Sequence, residues 1–337
     1  MPKSPSTSCR RMIVPALLAV AAASSVAGCG TEQLDGKVSV GGSPTLEPFI
    51  SYAVDQFAHA HQLVRFQVEM SGGNNGISRL CDGLVAAAGA AREMTPREAE
   101  SCKQSGIKVI KLPVATDAIV LFTSPSNQQI KCISLPQVYA LTGPEAVGVN
   151  RWNASSKVAD SLGGGSRLPN KPFSLVGPQP GSGTRTLFVE SAIDRIARSR
   201  GQQSDLRPDY TAVASDQIVV GEVAANSASL GFADYAAVMR AGSKVKPLAL
   251  DAGFGCKAPT AANIQDGSYP LSRALYLYVN VGLAAERPSV AAFVDSLTDS
   301  KVEAKAASAA GVPSSAAVSA ATRSAWLAAS DRAGVKR

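Results

Sequence analysis

Between residues 38 and 85 the spacing of hydrophobic positions switches twice from the period of a strand to that of a helix. Residues 38–41 (VSVG) read as a strand, 42–45 (GSPT) as a loop, and 46–59 as a helix with Leu46, Phe49, Ile50, Ala53, Val54 and Phe57 on one face. Residues 64–70 then alternate like a strand, 71–76 (SGGNNG) form a polar loop, and Ile77, Leu80, Leu84 and Val85 mark another helix. The same construction returns at 173–196, where a short apolar strand meets the turn GPQPGSGT and Leu187, Phe188, Ile193 and Ile196 repeat with helical spacing. Here Gly181 and Gly183 let the backbone approach a ligand, Ser182 and Thr184 offer hydroxyls, and Thr184 is the expected helix cap. A helix start presents unpaired N–H groups and the positive end of its dipole, so it attracts an anion. One such turn reads equally well as a capped surface turn. Three of them form a constellation that could converge on a single oxyanion.

The rest of the chain continues in alternation. Residues 107–112 and 118–122 read as strands on either side of Pro113, 134–141 as a helix, 161–171 as a loop, and 218–220, 230–233 and 274–279 as strands. The Ala- and Ser-rich stretch 302–330 suits a C-terminal helix with a frayed tail. Alternating strands and helices without a fixed repeat predict an α/β protein of two lobes.

Composition adds a compartment. Lys3, Arg10 and Arg11 precede an apolar run from Met12 to about Ala23, too short for a membrane span and shaped like a secretory leader. The leader ends in Val26-Ala27-Gly28-Cys29, which resembles the bacterial lipobox whose cysteine is acylated; the plainer reading is a leader with an incidental cysteine. Without residues 1–28 the net charge falls from +7 to +4, with 30 Lys and Arg against 26 Asp and Glu. These charges are dispersed and aromatics are few, which argues against a nucleic-acid partner. With Cys9 in the leader and Cys29 in the lipobox, Cys81, Cys102, Cys132 and Cys256 remain, an even set that reads as two disulfides outside the cytoplasm. Three connectivities are open; pairing the local Cys81 and Cys102 leaves Cys132 with Cys256, a choice that spacing does not settle.

Catalytic patterns find little support. Ser182 sits before a helix but lacks the Gly-x-Ser-x-Gly spacing of a nucleophile elbow. The two histidines, His59 and His61, stand two apart and face different directions. No phosphate-binding GxxxxGK[ST] loop and no zinc spacing is present. The expectation is a binding protein with no enzyme activity, metal or cofactor.

The segments GGSPTLEPFI (41–50), SGGNNGI (71–77), ATDAIVLFTSPSN (115–127), 141–152, PGSGTRTLF (180–188), LGFADY (230–235) and YPLSRALYLYVN (269–280) together resemble the phosphate-binding subunit of bacterial ABC phosphate transporters. That resemblance implies a two-lobe type II periplasmic-binding-protein fold with a ligand cleft between the lobes. It also implies non-covalent binding of inorganic phosphate outside the cytoplasm, delivery to the permease subunits, and a lipid anchor at Cys29. Carried over by position, the ligand set is Ser43, Thr45 and Leu46, then Gly72, Gly73 and Asn74, then Ser182, Gly183, Thr184 and Arg185, with Arg92 as an added charge. Residues 1–28 would be the leader, 29–36 a tether, 37–117 with 251–330 one lobe, and 118–250 the other. The chain departs from the family pattern at Gly73 and Ala91, where a hydroxyl or carboxylate is missing, and at Pro178, where many members carry arginine. Asp117 is a candidate for the missing carboxylate. Another tetrahedral oxyanion such as sulfate, or a surface sensor or partner-binding protein on the same fold, is the alternative.

Overall fold

The structure, a computed structural model, describes residues 33–164 and 167–335. The expected leader, Cys29 and the tether up to residue 32 lie outside them.

The chain opens with β1 (Asp35–Gly42), α1 (Glu47–Ala60), β2 (Leu63–Glu69), α2 (Gly73–Cys81), β3 (Ala87–Ala90) and α3 (Pro96–Gln104). It then enters β4, a single strand from Val109 to Thr123, although Pro113 was expected to divide it. Proline removes a ladder donor. Here the loss coincides with a register shift: Tyr276 pairs with Pro113 and Leu275 with Ala115, so Val114 is bulged out and the strand continues. Beyond β4 come β5 (Cys132–Ser134), α4 (Leu135–Thr142), α5 (Ser156–Asp160), β6 (Ser174–Pro178) and α6 (Gly183–Phe188). A π-helical turn over Val189–Ile193 leads to α7 (Asp194–Ser199), β7 (Thr211–Val213), α8 (Asp216–Ala225), β8 (Ser229–Asp234) and α9 (Tyr235–Ala241). Then follow β9 (Lys246–Pro247), β10 (Ala249–Asp251) and α10 (Ala261–Gln265). The chain returns through β11 (Ser272–Asn280) to α11 (Val281–Glu286), α12 (Pro288–Leu297), α13 (Ser300–Ala310), β12 (Val312–Pro313) and α14 (Ala316–Arg332).

The main sheet runs β2-β1-β3-β11-β4-β8-β6-β7, and β4 belongs to both halves. Its first part pairs with β11 and its second with β8, both antiparallel. Each half has its own core. Val40, Phe49, Ile50, Leu275, Phe293 and Trp326 fill one, and Leu121, Tyr139, Trp152, Phe188, Phe232 and Tyr269 fill the other. Residues 251–271, which the sequence suggests for the first lobe, contribute Ile264, Tyr269 and Leu271 to the second core.

Three local expectations are corrected. Residues 218–220 (IVV) lie inside α8, capped by Ser215 and burying Val219 and Val223 one helical turn apart. The helix after residue 183 is capped by Ser182, whose hydroxyl accepts from the Arg185 N–H, while Thr184 lies inside it. Residues 302–330 form two helices separated by β12, and the buried Trp326 donates to Asp295 at 2.6 Å, which fixes what was expected to fray.

Two disulfides close, Cys81 to Cys102 and Cys132 to Cys256. The first joins α2 to α3; the second ties β5 to the loop after β10, which pairs with β5 in parallel.

Candidate functional site

Three glycines set the first two loops against each other. At the end of β1 the chain turns at Gly42 with φ 141°, and a Cβ there would lie 2.3 Å from the Gly89 carbonyl oxygen. A Cβ on Gly76 would lie 2.5 Å from the Gly42 Cα, so the first turn of α2 packs directly on the backbone of β1. Two main-chain bonds hold this contact, from the Ser43 N–H to the Gly89 carbonyl and from the Gly72 N–H to the Gly42 carbonyl, both 2.9 Å. Gly73 consequently approaches Ser43, and Leu46 is buried against Gly89.

The third loop comes from the other half of the sheet. Gly181 turns with φ 94° and Ser182 starts α6. Gly183 then faces Thr45: a Cβ on it would lie 4.0 Å from the Thr45 Oγ1. Between them is a cavity of about 320 Å³ whose lining includes Thr45, Gly183, Thr184, Asp117 and Asp234. A cavity of about 650 Å³, lined by Lys103, Lys108 and Tyr278 among others, lies away from these loops.

Not every expected ligand reaches the cleft. Arg92 makes two bonds to Glu98, at 2.8 and 2.6 Å, and another to Asn74, so both Arg92 and Asn74 are engaged at the start of α3. Glu98 is held there by the box it forms with Thr95, and Arg92 keeps its carboxyl near 2. That Thr-x-x-Glu spacing was readable in the sequence. Arg185 donates to the Tyr210 hydroxyl at 3.1 Å and pairs with Asp205, within the second half.

In their place stand groups that the sequence did not single out. Arg273, on β11 directly opposite Asp117 in the ladder, donates to the Thr45 Oγ1 at 3.0 Å and lies 3.6 Å from Asp117. Since Thr45 accepts from Arg273, its own proton stays free for the cleft. Thr184 instead donates to Asp216 at 2.9 Å, and Asp216 also accepts from the Asp234 N–H at 2.8 Å. What α6 offers the cleft is therefore backbone N–H.

Burial raises the Asp117 carboxyl to about 6 despite the Arg273 charge, and raises Asp216 to about 7 with the help of Asp234. The ordinary value is 3.8 for each, so the folded protein holds these protons longer than the unfolded chain. Their contribution to stability is complete below about pH 4 and lost as pH rises through 6 and 7. Glu98 and Asp209, both held near 2 by arginines, are ionised throughout that range and add no slope. Stability is expected to fall between pH 5 and 8, and Asp216→Asn to flatten the fall. Urea unfolding at both pH values checks this, and an unchanged slope in the variant rejects it. Among the described residues no group of three or more His, Cys, Asp or Glu could hold a metal ion.

The chain is similar to several known proteins. It shares 28% identity over 272 residues with Protein SphX of Synechocystis, covering 80% of this chain and 76% of that one. It shares 24% over 276 residues with Phosphate-binding protein PstS of Staphylococcus aureus, covering 81% and 77%. The crystal structure of a possible phosphate binding protein from Planctomyces limnophilus superposes with a TM-score of 0.73 at 27% identity, covering 88% of this chain and 99% of that chain. The family model described as a PBP superfamily domain matches residues 27–301, and the chain belongs to that superfamily.

Proposed function

We propose that the protein binds inorganic phosphate in the cleft between its lobes, outside the cytoplasm, and delivers it without chemistry to the permease of an ABC transporter. The observation that carries this reading is the meeting of Thr45 with Gly183 and Thr184 across one cavity, with loops from both halves of the sheet contributing to it. Free hydroxyl and N–H donors suit a tetrahedral oxyanion. The Asp117 carboxylate, on the cavity wall, supplies an acceptor for the proton of monohydrogen phosphate, which sulfate lacks near neutral pH. The phosphate-binding names among similar proteins support the same reading. Ser43, Leu46, Gly72, Gly73 and Ser182 shape the loops in this proposal, and Cys29 carries the lipid anchor.

No described helix is long and apolar enough to cross a membrane. Calorimetric titration of ligand-stripped protein with phosphate, sulfate, arsenate and molybdate tests the ligand. Phosphate is expected to bind and sulfate to be rejected, with Thr45→Val weakening phosphate about tenfold or more, the worth of a hydrogen bond to a charged group. Sulfate binding without phosphate binding overturns the ligand. Silence for every anion overturns the function, and labelled fatty acid absent from the full-length protein overturns the anchor.

A further inference from the structure

Two of the four arginines expected or found near the loops are already spoken for. Arg92 belongs to Glu98 and Arg185 to Asp205 and Tyr210. Arg240 lines the cavity from an exposed position on α9, where solvent screens it. Arg273 differs from all of them. A guanidinium carries five N–H donors. Arg273 makes one hydrogen bond of ordinary length, to Thr45, and its buried Nε has no partner among the described residues. Its two carboxylate neighbours sit at ion-pair distance only, Asp117 at 3.6 Å and Glu190 at 3.8 Å.

These neighbours come from different parts of the fold. Thr45 stands on the first loop and Asp117 on the strand shared by both halves, and both line the cavity. Glu190 stands on the π-helical turn that follows α6, and its side chain is 63% exposed. Arg273 is thus the point where the first loop, the shared strand and the second half meet. Asp117 faces it from the neighbouring strand and remains beside it whatever Glu190 does.

We propose that Arg273 is the cation that ligates the oxyanion in this cleft, and that Glu190 is the carboxylate the anion displaces from it. This rests on the reading of the cleft as an oxyanion site and names the residue that supplies its charge. The Arg273 guanidinium is partly buried, and the buried Nε left unmet away from water is a costly donor that an anion can satisfy. Glu190 is weakly held and reaches Arg273 from the second half, so an anion that outcompetes it swaps a loose contact for a close one.

The test is titration with inorganic phosphate of ligand-stripped wild type, Arg273→Gln, Arg273→Lys and Glu190→Gln, with folding checked by circular dichroism. Arg273→Gln is expected to weaken phosphate roughly 10- to 100-fold, and Arg273→Lys to recover part of that loss, because charge is kept and the fork is not. Glu190→Gln is expected to tighten binding severalfold, an effect that a purely structural role would not give. Wild-type binding that Arg273→Gln retains within about threefold overturns this assignment while leaving the oxyanion reading intact. If Arg273→Gln does not fold, Arg273→Lys at wild-type affinity together with no gain in Glu190→Gln overturns it. A wild type that binds no oxyanion overturns both.

Discussion

Replacing Cys132 and Cys256 together by alanine is expected to cost about 4 to 5 kcal/mol of stability, against about 3 kcal/mol for the Cys81 and Cys102 pair. The difference follows from the chain each bridge closes: sequence separations of 124 and 21. A long loop is the one whose closure removes most freedom from the unfolded chain. The longer bridge also fastens β5 and β10, a two-stranded pairing outside the main sheet, and holds the loop that carries Phe254 into solvent. The Gly253 and Gly255 N–H groups both donate to Asp251 there, at 2.7 and 2.9 Å, which keeps the turn shaped but does not attach it to the second core. Denaturant unfolding of the two double variants compares them directly. Equal losses, or a larger loss for the short loop, would reject the entropic account.

Gly42→Ala is expected to destabilise the protein by about 3 kcal/mol or more, combining a backbone that L-residues avoid with overpacking. The Cβ would meet not a side chain that can turn aside but the main chain of Gly89, whose oxygen would be 2.3 Å away and nitrogen 2.5 Å. Relief requires β1 and β3 to separate or the Gly42 turn to change. Either displaces Ser43 and the loop that carries Thr45, so phosphate affinity should drop with stability. A loss below about 0.5 kcal/mol in urea unfolding, the range of an ordinary surface substitution, would sink the prediction. Gly76→Ala, 2.5 Å from the Gly42 Cα, tests the same contact from the α2 side.

Much of this architecture is readable where local pattern and tertiary role coincide. Residues 46–59 announce their helix because one face is buried, and period reports burial directly. Residues 218–220 mislead for the converse reason. Three β-branched or apolar residues in a row have no period of their own, and Ser215 with the buried Val219 and Val223 decides for a helix. In the cleft, the glycines and hydroxyls of the loops are visible because turns need them. Arg273 is not. An arginine within an alternating strand looks like any solvated strand position until β11 is paired with β4, which sets it opposite Asp117, far away in sequence. Arg92 fails in the other direction: its charge is conspicuous, but the partner that absorbs it is created by the capping of α3.

The shared strand also bears on how the two cores can assemble. The second core is built from one stretch of chain apart from Val312, whereas the first combines residues before β4's midpoint with residues from β11 onward. Closing the first core from a disordered chain therefore means closing a loop that contains the whole second half, and that entropy grows with the loop's length. A folded second half changes the problem. It already holds Ala118 opposite Ser272, with the Ile119 N–H bonded to the Leu271 carbonyl at 3.0 Å, so the two strands leave it side by side and in register. From that point β4 and β11 can zip toward the first core one pair at a time. The inserted lobe serves as the template that brings the severed halves of its neighbour together.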